Sequence, residues 1–506
     1  MTASPARLAA HAGTALRCAL RAAADRPPSR RARAAAGAAY LDLWVCGRLL
    51  RADPVAARHL VPRLLLESVD GLVVLLGPDL SCDSGPGAEY RRRARFLADA
   101  MWHADHTEHL TAVTARLPRL ARGDDRLSRP LAPLRHLTLS VLEQERRHLL
   151  TTCAAATARY GRDQGGTDSA GDARHRAAAD RYALLTAAAA CLDDPQPGDG
   201  RARARLTGAL SRLALRLDRD PDGSDTVRCA AVFDEVIAPR RTTAPTGPDT
   251  VRRPVASGPV SPGTAPGAQL VRRADGPGGD WTGGVRAALD DGRVVVLYGS
   301  VEEWAVPEGP GLRALLGGEY ARWAGRRAGA RQRFAAARQL MKHAVGTALG
   351  VRPLDLELAR CPGGRPYVRG YDRLCLSLTH TGDTLVLALG TGGRLGVDTE
   401  NTGRPVRADA LARLMCTRDE AAGLAALPEA GRARVALRLW TLKEAYTKAL
   451  GVGTRLPFRD FGFALHGDRA ELRDAGGRPV QPAEWTFTTH WLDTGHVVST
   501  AATRHR

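Results

Sequence analysis

Over roughly the first 235 residues, apolar side chains recur every three or four positions. "ARAAAGAAYLDLWVCGRLL", "EYRRRARFLADAMWHADHTEHLTAVTARL", "LRHLTLSVLEQERRHLLTTCAAATARY" and "RARARLTGALSRLALRL" all carry this period, which gives a helix one apolar stripe and an opposite polar face. Strand-like alternation is scarce there, so residues 1–237 are predicted to form an all-α domain. A stretch dense in Pro, Gly, Ser and Thr follows, "APRRTTAPTGPDTVRRPVASGPVSPGTAPGAQLVRRADGPGGDWTGG". Such a composition buries too little apolar surface to offset chain entropy, so a flexible linker is predicted over 238–284. Beyond it the pattern changes. "RVVVLYGSV" and "LCLSLTH" read as strands, and "TLVLALGTGGRLGVDTE" as a hairpin turned on Gly390–Gly393. "RQRFAAARQLMKHAVGTAL" and "RVALRLWTLKEAYTKAL" read as helices, stopped by Gly350 and Gly451. Strands and helices without regular βαβ alternation predict an α+β domain over 285–506, and the chain as a whole is expected to be multidomain.

Composition narrows the function classes. At 506 residues the chain is too long for one ordinary core. A formal charge of +19 implies affinity for anionic partners. The arginines are scattered and no nucleic-acid motif accompanies them, so nucleic-acid binding is not the expected role. Nine cysteines with no zinc spacing suit a reduced, cytoplasmic protein. Nothing resembles a signal peptide, and "LVPRLLLESVDGLVVLLG" is too short and too charged to span a bilayer, so no membrane association is expected.

Two clusters in the helical part resemble metal sites. His103, His106 and His109 stand at three-residue steps, but no second ligand cluster pairs with them, and a polar helical face explains them as well. "DRDPDGSD" imitates the opening of a calcium loop with Asp218, Asp220, Asp222 and Gly223, yet the twelfth position is Cys229 and Pro221 interrupts it. A solvated turn is the expectation.

Lysine is what singles out the C-terminal part. Among 73 basic residues only Lys342, Lys443 and Lys448 are lysine, and two of them flank Glu444 in "WTLKEAYTK". As a helix this stretch aligns Trp440, Glu444 and Lys448 on one stripe. An ordinary Glu-to-Lys pair accounts for the spacing but not for the retention of lysine where arginine serves elsewhere. A compact ammonium suits a phosphate oxygen beside a metal. Upstream, "GVDTE" read as a strand aims Asp398 and Glu400 to one side and Leu395, Val397 and Thr399 to the other. Two carboxylates this close suit Mg²⁺, although an exposed strand edge explains the pair equally well. Between the linker and these motifs, "CPGGRPYVRGYDRLCLSLTHTGD" ends a strand at Thr379 and His380, residue types suited to phosphate or ribose and equally to a loop.

Taken in order, "GRP" (Gly364–Pro366), "THT" (Thr379–Thr381), "GVDTE" (Gly396–Glu400) and "WTLKEAYTK" (Trp440–Lys448) resemble the 4′-phosphopantetheinyl transferases of the larger, surfactin-synthetase-activating type. The resemblance covers somewhat over two-fifths of the chain and leaves the helical part outside it. It implies an α+β fold of two halves related by a pseudo-twofold axis, with coenzyme A between them. It implies transfer of the phosphopantetheine arm of coenzyme A to a serine of an apo acyl, polyketide or peptidyl carrier protein, in fatty acid biosynthesis or secondary metabolism. Adenosine 3′,5′-bisphosphate would leave. By the same resemblance Asp398, Glu400 and Glu444 match the Mg²⁺ ligands, Glu444 the general base as well, and Lys448 the lysine near the pyrophosphate. Lys443 matches a family position whose role is less defined. Thr379 and His380 match contacts to the phosphorylated ribose, and Arg333 and Arg365 match basic residues near the nucleotide. Glu420 matches a glutamate that supports the site. Thr399 and Arg365 depart from the usual residues, and the basic pair expected on the 3′-phosphate has no clear match among Arg322, Arg326 and Arg327. An acidic carrier would be drawn by the basic surplus. Two other readings stay open: an inactive relative that only binds carrier proteins, and a basic helical protein associated with nucleic acid.

Overall fold

The computed structural model describes residues 3–24, 27–81, 84–103, 106–131, 137–160, 169–193, 200–219, 223–238, 269–480 and 485–503. The N-terminal part is helical, as its periodicity predicts: α1 (Pro5–Ala22), α2 (Arg30–Ala52), α3 (Pro54–Gly71), α4 (Val73–Leu76), α5 (Gly85–His103), α6 (His106–Thr114), α7 (Leu117–Ala121), α8 (Leu137–Tyr160), α9 (Ser169–Leu192), α10 (Gly200–Arg216) and α11 (Asp225–Val232). The first three begin where the sequence supplies caps. Ser4, Ser29 and Asp53 accept backbone N–H groups at the starts of α1, α2 and α3, and Pro54 follows its cap at a position that needs no N–H. The apolar stretch read against a membrane span forms α3 and α4, and among the described residues no helix is long and apolar enough to cross a bilayer.

The C-terminal part is α+β. Its strands are β1 (Leu270–Arg273), β2 (Val295–Ser300), β3 (Leu358–Arg360), β4 (Pro366–Val368), β5 (Leu374–Thr381), β6 (Thr384–Thr391), β7 (Leu395–Asn401), β8 (Phe461–His466), β9 (Arg469–Asp474), β10 (Trp485–Trp491) and β11 (His496–Thr503). Its helices are α12 (Val285–Asp290), α13 (Pro310–Leu316), α14 (Tyr320–Ala324), α15 (Ala328–Leu349), α16 (Ala408–Met415), α17 (Arg418–Ala425) and α18 (Glu429–Ala449). One sheet runs β1-β2-β6-β5 and a second runs β7-β11-β10-β9-β8, with β3 and β4 forming a separate hairpin. The sheets pack through Val296, Val386 and Ala388 on one side and Leu395, Val397 and Val498 on the other.

Two sequence expectations need correction here. The stretch over 384–400 is not a hairpin. β6 already has β2 and β5 on its two edges, so β7 crosses to the other sheet and pairs with β11. The glycines make that crossing: Gly392 sits at φ +69°, and a Cβ on Gly393 would lie 2.4 Å from the Thr503 carbonyl. The expected linker also ends early. Leu270–Arg273 adds as a parallel edge strand to β2, and the buried Trp281 donates from its indole to the Gly276 carbonyl at 2.8 Å. A short strand and one anchoring indole are too small to register against the Pro/Gly background; residues 239–268 lie outside those described.

The helical part packs directly on the second sheet's layer. One hydrophobic cluster runs from Leu8 and Leu65 through Leu439 and Tyr446 to Phe487. Buried ion pairs stitch the rest of the seam. Arg369 on the β4–β5 connection is fully buried and meets Asp180 (3.1 Å) of α9 and Asp218 (2.9 Å) beyond α10. Asp180 also binds Arg63 (2.8 Å) and His59 (3.0 Å) of α3. Burial works to raise the Asp180 pKa, but Arg63, His59 and Arg369 overcome it and hold the carboxyl well below the usual carboxylate range. Arg394, just ahead of β7, pairs with Asp70 of α3 at 2.5 Å. Asp218, expected in a solvated turn, is instead mostly buried, because the interior Arg369 draws it into an ion pair. Asp220 and Asp222 lie outside the described residues, as do the side chains of His103 and His106.

Candidate active site

Three elements from distant parts of the chain converge at the end of β5. Thr379 lies next to last but one on that strand, His380 follows it, and Gly382 turns the chain at φ +54°. Beside it runs β7, whose one face presents Gly396, Asp398 and Glu400, as the two-residue period predicts. Helix α18 lies across that face because Gly396 has no side chain: a Cβ there would stand 1.9 Å from the Ala445 carbonyl oxygen. Thr441, on the same helix, bonds Ser499 of β11 at 2.8 Å and fixes the other end of the contact. The packing therefore delivers Glu444 and Lys448 to Asp398.

The geometry is closed around Lys448. Its Nζ donates to Asp398 Oδ1 at 2.5 Å, to Thr379 Oγ1 at 3.1 Å and to the Val397 carbonyl at 3.3 Å. Thr379 Oγ1 in turn donates to Asp398 Oδ1 at 3.0 Å. Asp398 is buried, while Glu444 and Lys448 are half-buried and reachable. Burial pushes the Glu444 carboxyl up, Asp398 and Glu400 push it further, and Lys448 only partly offsets them. Glu400 is raised by burial as well; Arg404, 3.6 Å away, works against this and Asp398 adds to it. His380 is exposed at the strand end, and desolvation with Arg333 and Lys448 nearby lowers its pKa below that of an ordinary histidine.

Three carboxylates in mutual repulsion, with one ammonium among them, form a donor set that suits a hard divalent cation. Among the described residues, however, no group of three or more His, Cys, Asp or Glu closes to metal-holding distance. Lys448 serves as the cation on Asp398 in this arrangement.

Arg365 stands apart from the cluster. It is half-buried against the helical part, where desolvation works to lower its pKa and the nearby Cys361, Asp70 and Glu67 outweigh it and raise it. Lys443 is buried. Its ammonium donates to the Phe458 carbonyl at 2.8 Å and the Phe461 carbonyl at 2.5 Å and pairs with Glu420 at 2.9 Å. Glu420 also accepts from Thr417 and Phe463 backbone N–H groups, capping α17. A three-donor point charge fits this cage and a planar guanidinium does not. Lys443→Met is therefore expected to leave Glu420 buried and unpaired and to lower unfolding free energy by about 3–5 kcal/mol. Lys443→Arg is expected to rescue little, and urea denaturation of both variants checks this. Sequence reasoning missed Gly396, Thr441 and Ser499. A glycine in phase with Asp398 on a strand was the one available signal, since it marks a close backbone approach.

Residues 394–501 match the model of the 4′-phosphopantetheinyl transferase superfamily, a span that contains Asp398, Glu400, Glu444 and Lys448. A phosphopantetheinyl transferase of Thraustochytrium is 32% identical over 190 residues, covering 35% of this chain and 65% of that protein. The 4′-phosphopantetheinyl transferase HetI of Nostoc is 30% identical over 128 residues, covering 24% and 53%. An L-aminoadipate-semialdehyde dehydrogenase-phosphopantetheinyl transferase of Eremothecium gossypii is 28% identical over 200 residues, covering 38% and 72%. The chain thus spans less than two thirds of the length of the Thraustochytrium and Nostoc relatives.

Proposed function

We propose, on the premise that residues 394–501 carry a 4′-phosphopantetheinyl transferase superfamily domain, that this protein moves the 4′-phosphopantetheine arm of coenzyme A to a carrier-protein serine. The observation that supports it most directly is the Thr379–Asp398–Lys448 cluster, with Glu400 and Glu444 in the same electrostatic group. In this reading the two sheets are the pseudo-twofold-related halves between which coenzyme A lies. Thr379 and His380 meet the phosphorylated ribose, and Arg333 adds positive charge beside His380. Asp398, Glu400 and Glu444 would hold Mg²⁺, which when bound supplies charge neutralisation on the pyrophosphate. Glu444, with its raised pKa, takes the proton of the attacking serine. The serine oxygen bonds to the phosphorus that bears the pantetheine arm, and the bond from that phosphorus to the adenosine-side phosphate breaks. Lys448 offsets the charge that develops on the leaving adenosine 3′,5′-bisphosphate. The acceptor is an acidic apo carrier protein in the cytoplasm, met by the basic surplus. Part of that surplus is internal, since Arg63 and Arg369 are spent on buried pairs.

The test is to incubate the full chain with coenzyme A, Mg²⁺ and a panel of apo acyl, polyketide and peptidyl carriers and to weigh the products. One added phosphopantetheine, absent with Glu444→Gln, is expected. No mass gain on any carrier would refute the reading. At Mg²⁺ concentrations below saturation the acid limb of kcat/KM is expected above the ordinary glutamate value of 4.5, because Glu444 and Glu400 are both raised before the cation binds and must ionise to receive it. Arg404→Ala removes a cation from beside Glu400, so the limb is expected to move to higher pH; a pH–rate profile reads it.

A further inference from the structure

Asp398 and Glu400 belong to two rows of side chains that cross the second sheet on the face beneath α18. One row is Asp398, Ser499 and Thr489, and α18 closes over it: Thr441 bonds Ser499, and Arg438 donates to Thr489 Oγ1 at 3.2 Å. The other row is Glu400, Val497 and Trp491. Its middle member is fully buried, so it opens only at its two ends. One end is Glu400 in the site, and the other is Trp491, two strand spacings or about 10 Å away. Trp491 is 38% exposed. Arg434, one turn of α18 ahead of Arg438, lays its guanidinium over the indole, 3.8 Å from the ring centroid. Among the described residues Arg434 has no hydrogen bond or ion pair. Asp493, two residues beyond Trp491, is engaged instead by the Tyr298 hydroxyl, which donates to it at 3.1 Å.

In the transferase reading the leaving nucleotide lies at Thr379, His380 and Arg333, on the β5 side of Asp398. In-line displacement puts the attacking serine on the opposite side of the reacting phosphorus. From β7 that direction leads over β11 to β10, along the row that ends in Trp491. We propose that Trp491 and Arg434 form a docking platform for the acceptor, an acidic carrier protein. Its surface would set an apolar side chain on the indole and a carboxylate on the guanidinium, both about 10 Å from the serine, the span of the row. The acidic character follows from the unanswered charge of Arg434 at one end and from Arg404, 55% exposed, beside Glu400 at the other. An indole with a guanidinium stacked on it is also the kind of pair that dominates protein interfaces. Both groups are fixed by the sheet and helix that carry Glu400 and Glu444, so a carrier seated on them is in register with the acids. This inference rests on the transferase reading and adds to it the surface that selects the carrier.

Steady-state transfer by the full chain, with coenzyme A and an apo carrier varied in turn, is the test. It is paired with calorimetry on the same carrier, its acceptor serine replaced by alanine. Trp491→Ala is expected to raise the carrier KM, and the Kd of the serine-free carrier, at least about tenfold. The kcat and the KM for coenzyme A are expected to stay close to those of the parent, and Trp491→Phe to keep most of the affinity. Arg434→Gln is expected to raise the carrier KM several-fold and to flatten its dependence on salt, and Arg434→Glu to raise it further. Arg434→Gln, on an exposed helix face, answers the question even where Trp491→Ala does not fold. An unchanged carrier KM in these variants would overturn the platform and leave the transferase reading standing. A raised KM for coenzyme A alone would overturn it as well and assign the indole to the pantetheine arm. A serine-free carrier bound by the parent and weakened in the variants, with no transfer, would sustain the platform and refute the reading. Binding and transfer both absent would refute the two together.

Discussion

Asp398→Ala in the full chain is expected to reduce phosphopantetheine transfer by about a hundred- to a thousandfold, the range associated with loss of a principal electrostatic element of an active site. Asp398 is the shared node of the cluster: Lys448 and Thr379 both donate to its Oδ1. Without it the lysine has no carboxylate to hold it between β5 and β7, and the remaining acids are reduced to Glu400 and Glu444. The fold is expected to survive. Lys448 keeps 29% of its side chain exposed and retains Thr379 and the Val397 carbonyl, so no charge is stranded in the interior. Mass spectrometry of the carrier and a thermal melt of the variant separate the two effects. Unimpaired transfer would refute the assignment of Asp398, and a collapsed melt would show that the residue is structural.

Removing one partner from the seam should do the reverse, costing stability first. Arg369→Met leaves Asp180, Asp218 and Glu357 facing a thioether where a guanidinium had bound all three. The expected loss is about 3–5 kcal/mol, because uncompensated buried charge costs more than the pair contributed. Arg63 and His59 still hold Asp180, which limits the damage at that end. By the same reasoning residues 269–506 alone are expected to express as an aggregating or incompletely folded species, since Arg369, Arg394 and Arg365 lose the acids of α3, α9 and the α10 end together. Urea denaturation of Arg369→Met and the cooperativity of unfolding of the isolated segment are the measurements. An isolated segment that melts as sharply as the full chain would show that the helical part is a passenger.

How far the chemistry could be read in advance differs from residue to residue. Asp398 and Glu400 were legible as a pair on one strand face, and Glu444 and Lys448 as neighbours on one helix stripe, because both periods are local. The scarcity of lysine drew attention to Lys443 and Lys448 alike, but for unlike reasons: Lys448 sits among the acids, while Lys443 fills a carbonyl cage beneath them. Sequence could not separate the two, since burial depends on what packs against the helix from elsewhere. Arg365 shows the same limit in the other direction, as its charge is answered by Glu67 and Asp70, roughly three hundred positions earlier in the chain.

Helical periodicity, strand alternation, caps and glycine stops are properties of neighbouring residues, and the sequence by itself determined them: a helical part, an α+β part and the motifs each element carries. Which sheet β7 joins, where the first strand begins, and the charge-stitched seam were decided only in three dimensions. There the energy of a contact depends on burial and on partners that no local period records, such as the Ala445 carbonyl over Gly396 or Asp180 against Arg369.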